Sequence, residues 1–195
     1  MYSIPHRENS LWPTLTTSRP GELWLLLAPF RIAEIECVVI PQLALRGPVH
    51  IIVGGHSYDV DGILRGLRTL TPGAAALYRH IRQRRAPTMY QMRALLKNTP
   101  ETNEPLIVLN FLNHYFAEDE EFWKSRFLLE ATIMELHRLS RLAPVVVTAR
   151  PPEANNSSFT HLFDRLRMEM GTCPNARIIE FLPSPTLQLQ QSRLF

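Results

Sequence analysis

Apolar residues fall along this chain in two kinds of run. Glu22 to Leu27 (ELWLLL), Val49 to Val53 (VHIIV), Leu106 to Phe111 (LIVLNF) and Val145 to Thr148 (VVVT) are short and nearly continuous, the pattern of strands covered on both faces. Between them the apolar positions spread to helical spacing. Ile32 to Leu45 carries Ile32, Ile35, Val38, Val39 and Leu43; Val60 to Leu70 carries Val60, Ile63, Leu64 and Leu67; Met89 to Lys97 carries Met89, Met92, Leu95 and Leu96. The longest helical stretch, Glu118 to Leu142, opens with Glu118, Asp119, Glu120 and Glu121 and closes near Arg138 and Arg141, which matches the polarity of a helix dipole. Ala76 to Arg82 fits a strand and a helix equally well. Leu162 to Met170 and Ala176 to Leu182, separated by GTCPN, alternate apolar and polar residues and predict an antiparallel hairpin.

Strands alternating with helices predict an α/β fold, a mainly parallel sheet flanked by helices on both faces, with the hairpin closing its C-terminal end. Prolines mark the boundaries, for example Pro20, Pro48, Pro87, Pro105 and Pro144. The sequence divides into an N-terminal tail (1–20), expected to be flexible, one domain (21–185) and a C-terminal tail (186–195). With 195 residues, 45% of them hydrophobic and 20% charged, the chain can bury one substantial core. The net charge of +3 permits an acidic partner without demanding one. Two cysteines, Cys37 and Cys173, make neither a disulfide framework nor a zinc site, and a reducing cytoplasm is the expected location. No run reaches the length of a membrane span, so no membrane partner is expected.

The order of these elements, together with particular residues, resembles the RecA-like strand-exchange recombinases and their paralogs. GELWLLLAPFRIAEI resembles their first strand and phosphate loop, with Phe30 and Arg31 retained. LIVLNFLNHYF, the long helix after it and VVVT resemble the second nucleotide motif, its helix and the strand leading to a DNA-binding loop, and DRLRMEMGTCPNARIIEFLPSP resembles the terminal hairpin. The likeness spans residues 21 to 185 and implies a RecA-like core.

The nucleotide chemistry is missing from the matching positions. A phosphate loop needs glycines that let N–H groups converge, a lysine that neutralises the phosphates and a hydroxyl on Mg²⁺. Here Ala28 and Ala33 stand at the glycine positions, Pro29 removes an N–H, Glu34 replaces the lysine and Ile35 the hydroxyl. Asn110 stands where the second motif carries its metal-anchoring aspartate, and His56 where a water-activating glutamate is usual. A unit-charge pair at ~4 Å is worth about 4 kcal/mol at a protein surface, so Glu34 turns attraction for a polyphosphate into repulsion. The resemblance therefore implies a degenerate member: no ATPase activity, no catalytic residues, no metal and no cofactor.

Other chemistry is sparser. Arg79, His80, Arg82, Arg84 and Arg85 form the densest basic cluster and could follow a phosphodiester backbone; a solvated strand end or helix face is the plainer role. Arg150, Asn155 and Asn156 fall in the loop that the resemblance gives to DNA contact. Lys124 and Arg126 fit i,i+4 surface pairs such as Glu120–Lys124. Asp59 and Asp61 precede a helix and suit N-capping. The seven histidines show no ligand spacing. Leu11 and Trp12, in the tail, are candidates for contact with another subunit. By resemblance, the expected role is a recombination or repair accessory, as a homo-oligomer or a heteromer with a RecA-like recombinase, with DNA as a candidate partner. The alternatives are a RecA-fold scaffold or signalling subunit without DNA, and an enzyme using His56, Asp59 and Asn110 in a repurposed pocket at the strands' carboxyl ends.

Overall fold

The computed structural model describes residues 11–27, 35–55, 58–113, 115, 122–150 and 157–180, with the backbone alone described at 11–13, 122 and 157–159. In chain order the elements are α1 (Leu11–Thr16), β1 (Leu23–Leu27), α2 (a wide π-helical turn, Ile35–Val39, continuing as an α-helix, Ile40–Ala44), β2 (Val49–Gly54), α3 (Val60–Leu70), α4 (Ala74–Tyr78), β3 (Ile81–Ala86), α5 (Met89–Asn98), β4 (Leu106–Leu109), α6 (Phe122–Ser140), β5 (Val145–Ala149), α7 (Ser157–Gly171) and β6 (Ala176–Glu180).

All six strands join one sheet in the order β3-β2-β4-β5-β1-β6, and every neighbouring pair is parallel. Successive side chains of a strand point to opposite faces, so a doubly covered sheet must divide each strand's residues between two cores. That division is clean here. Leu23, Leu25 and Leu27 of β1 pack with residues of α5, α6 and α7, including Met92, Leu129 and Leu166. Trp24 and Leu26 face the other way, against Leu15, Ile35, Val39, Ile40, Ile63 and Leu67 of α1, α2 and α3.

Two expectations are overturned. The C-terminal hairpin does not form: residues 157–171 are the helix α7, and β6 pairs parallel to β1, with Leu25 opposite Ile178. The buried set of Leu162, Leu166 and Met170 recurs every four residues, a helical period, and a helix between two strands makes the connection a parallel crossover. The tail up to residue 20 also carries structure. Residues 11–16 form α1, and Leu15 is 1% exposed within the core, because Arg46 donates to the Thr16 carbonyl and the helix covers α2.

The ambiguous segment resolves into α4 and then β3, an edge strand in which only Ile81 and Ala86 are buried. Helix starts use local chemistry. Asp59 accepts the Gly62 N–H at 2.7 Å to cap α3, as its position suggested, and Thr88 accepts the Gln91 N–H at 3.2 Å to cap α5. Replacing Asp59 by alanine is expected to cost about 1 kcal/mol, read as a lower denaturant midpoint with an unchanged slope. On α6, Arg126 pairs with Glu130 at 3.1 Å; Glu120 lies outside the described residues. Arg138 donates to the Leu96 and Thr99 carbonyls, each at 3.1 Å, and ties α6 to the end of α5.

Candidate functional site

Parallel strands present all their carboxyl ends on one edge of the sheet, and the helices that follow them begin there. On this edge the sequence-derived positions meet. Leu27 ends β1, Gly54 ends β2, Asn110 follows β4 and Arg150 follows β5. Residues 28–34, 56 and 57 lie outside the described residues, and with them Ala28, Pro29, Ala33, Glu34 and His56. Asn155 and Asn156 lie outside as well, as do the side chains of Leu11 and Trp12.

Asn110 is held tightly. It adopts a left-handed backbone, φ 54°, which a short amide side chain tolerates better than most. Its N–H donates to Thr148 Oγ1 at 2.9 Å, and the following N–H of Phe111 donates to the Thr148 carbonyl at 2.9 Å. The side chain is buried, and its Oδ1 accepts no hydrogen bond from the described residues. The Asn110 carbonyl presses on Gly54: a Cβ at position 54 would stand 2.3 Å from that oxygen. The ends of β2, β4 and β5 are thereby locked together.

Ile35, at the start of α2, is fully buried with Val39, Ile40 and Ile63. Next to it Glu36 is buried, 5% exposed, and its Oε1 accepts the Asp59 N–H at 3.5 Å. Burial pushes the Glu36 carboxyl above its ordinary range and the nearby Asp59 charge adds to this, while the Asp59 N–H and the Arg150 guanidinium pull the other way. At this edge α2 opens on an isoleucine sealed in the core and β4 ends on a neutral amide, so neither Ile35 nor Asn110 supplies the hydroxyl or the carboxylate that a magnesium nucleotide would call for.

The Glu36 carboxyl carries a pH signature. A carboxyl that titrates higher in the folded than in the unfolded state stabilises while protonated, and that contribution disappears as pH rises through the folded value. Glu36→Gln is therefore expected to raise the melting temperature at neutral pH and to flatten the decline of stability above the ordinary carboxylate range. Melting curves across pH 4 to 8 check it.

The basic cluster does not gather on one face. Residues 81, 83 and 85 share the β3 face that carries Ile81 into the α1–α4 side, whereas 82, 84 and 86 share the face that carries Ala86 into the α5–α7 side. Arg82 sits near the amino edge, where Glu104 binds it at 3.0 Å and also takes His50 Nε2; this removes Arg82 from the set of available cations. Arg85 lies at the carboxyl edge near Tyr58: burial raises that phenol, the neighbouring Tyr78 and Glu36 add to it, and Arg85 opposes them. Arg79 and Arg84 are exposed and have no carboxylate partner among the described residues. Arg150 reaches the same edge three strands away, roughly 14 Å at ~4.8 Å per strand. The Glu36–Tyr58–Tyr78 group was invisible to periodicity, because a glutamate early in a helix reads as solvated.

A cavity of about 330 Å³ opens at the opposite, amino edge among Thr16, Leu43, Arg46, Glu104 and Pro144. Its charged groups are already paired, Arg46 with the Thr16 carbonyl and Glu104 with His50 and Arg82. Among the described residues no group of three or more His, Cys, Asp or Glu side chains could hold a metal ion, and no helix is long and apolar enough to cross a membrane.

No protein-family model and no curated protein matches the chain. Among solved structures it is similar to the crystal structure of the RadB recombinase, with a TM-score of 0.57 and 15% identity over 86% of this chain and 78% of that one. That degree of likeness speaks to architecture, and the six-stranded parallel sheet with helices on both faces is accordingly a RecA-like α/β fold.

Proposed function

We propose that this chain is a non-catalytic RecA-like protein that serves DNA recombination or repair as an accessory, assembling with itself or with a RecA-like recombinase and contacting DNA along its β3 edge. The observation that carries the first half is the fate of two positions. Ile35 is sealed in the core and Asn110 is a buried neutral amide, so neither brings the hydroxyl or the negative charge with which a magnesium nucleotide is usually held, and this supports the reading. The sheet remains as scaffold, and the likeness to a recombinase favours a role beside one.

The DNA half draws its support from β3. An edge strand with exposed arginines on both faces, Arg84 on one and Arg85 on the other, offers positive charge to a phosphate backbone from two sides. Arg79 extends the same edge. Anisotropy titrations with single- and double-stranded oligonucleotides test this. The expected result is an affinity that falls steeply with salt, and an Arg84→Glu/Arg85→Glu variant that binds at least about tenfold more weakly with a shallower salt slope. Equal binding by variant and wild type, or no binding at low salt, would remove DNA from the proposal and leave a scaffold.

A further inference from the structure

The cavity at the amino edge has a wall of prolines. Pro20, Pro48, Pro105 and Pro144 line it, standing just ahead of β1, β2, β4 and β5, the four inner strands of the sheet. A proline has no N–H to leave bare and its ring fixes the backbone, so this wall is rigid and already in place before anything binds. The Pro105 and Pro144 carbonyls accept the His50 and Leu106 N–H groups of the neighbouring strands at 2.9 and 3.1 Å, which leaves the wall to offer carbon surface. Leu43 of α2 adds to that surface, and about 330 Å³ lies at the lower end of the sizes of small-molecule pockets.

Its polar groups favour one sign of charge. Among the described residues that line the cavity, only Arg46 and Glu104 are charged. Glu104 is balanced, since its Oε2 takes Arg82 at 3.0 Å and meets His50 Nε2. Arg46 is anchored by the Thr16 carbonyl, a neutral group, so the guanidinium is held in place with its charge unbalanced and most of its five donors unspent. Asn103 lines the same cavity with a carboxamide that makes no hydrogen bond among the described residues.

We propose that this cavity binds a small organic monocarboxylate, with the carboxylate on the Arg46 guanidinium and the Asn103 amide and an aromatic or short alkyl body against Leu43 and the proline rings. One unbalanced cation selects one negative charge. A phosphate dianion or a dicarboxylate would bring a second negative charge toward the Glu104 carboxylate in the same space, and a neutral molecule of the same shape would leave the guanidinium unpaired. Because Arg46 also holds the end of α1, a bound carboxylate stabilises the fold as it binds.

The site lies at the edge opposite Asn110 and depends on neither nucleotide nor DNA. The full chain is titrated with benzoate, phenylacetate, indoleacetate and hexanoate, each beside its carboxamide, and with phenyl phosphate, while backbone amide resonances and melting temperature are followed. At least one of the four acids is expected to saturate below about 10 mM and to raise the melting temperature, with the largest shifts at Ser18, Gly47 and Asn103. That acid should bind at least about tenfold more tightly than its carboxamide and than phenyl phosphate. Arg46→Gln, which keeps a donor for the Thr16 carbonyl, should abolish the preference for acid over carboxamide. Asn103→Asp, at an exposed position, should weaken the acid by about tenfold or more and leave the melting temperature of the unliganded chain unchanged. Resonances that stay fixed for all four acids, carboxamides or phenyl phosphate that bind as tightly as the acids, or an acid affinity that survives both substitutions would each overturn the proposal.

Discussion

Gly54→Ala is expected to destabilise the protein by about 3 kcal/mol or more, a large share of the 5–15 kcal/mol that holds a typical domain folded. The added Cβ would stand 2.3 Å from the Asn110 carbonyl oxygen and 3.0 Å from its carbon, both backbone atoms. Neither can rotate away. Asn110 is fixed from behind by its N–H on Thr148 Oγ1, and its carbonyl accepts the Asn113 N–H at 3.1 Å, so moving it disturbs the turn that places Phe111, Leu112 and Tyr115 in the core. The clash therefore spreads from β2 through β4 to β5. Chemical denaturation should show a midpoint far below wild type, and an unchanged midpoint would mean that the strand ends are not in this close contact.

Gly66→Ala sets two effects of opposite sign against each other. Alanine inside an exposed helix usually gains about 1 kcal/mol over glycine. Here the new methyl would lie 2.0 Å from the Cys37 carbonyl oxygen and 2.7 Å from Pro41 Cγ, so α3 must retreat from α2. Both helices bury Ile35, Val39, Ile40, Ile63 and Leu67 at their contact, and separating them opens that packing. Overpacking of this kind costs about 1–3 kcal/mol and occasionally more, and with a backbone obstacle the upper end applies, so a net loss of about 2 kcal/mol is expected. Gly62→Ala supplies the contrast. Its nearest obstacles are the Asp59 carboxylate and Cys37 Sγ, side-chain atoms that can move, so its loss should be distinctly smaller in the same measurement.

The parallel core was legible because strands covered on both faces must be apolar at nearly every position, and ELWLLL, VHIIV, LIVLNF and VVVT are. β3 was not legible, since an edge strand reading IRQRRA buries only its first and last residues and its arginines hide the period. In α7 the alternation Leu166, Met168, Met170 imitates a strand, but Met168 is exposed while Leu162, Leu166 and Met170 are buried, and only the packed helix separates them. At the carboxyl edge the sequence identified Ile35 and Asn110 through resemblance, and Asp59 through its capping position. It could not reveal that Glu36 is buried beside Asp59, because burial of a single carboxyl depends on how α2 enters the fold. Nor could it reveal that Glu104, distant in sequence, takes Arg82 away from the basic cluster.

On the proposed reading, this RecA-like architecture surrounds a site that does not accept a magnesium nucleotide. Isothermal titration of the purified full chain with MgATP, accompanied by melting curves in the same solutions, addresses it directly. The account predicts no binding heat and no shift in melting temperature at millimolar nucleotide, whereas saturable heat with a matching rise in melting temperature would contradict it.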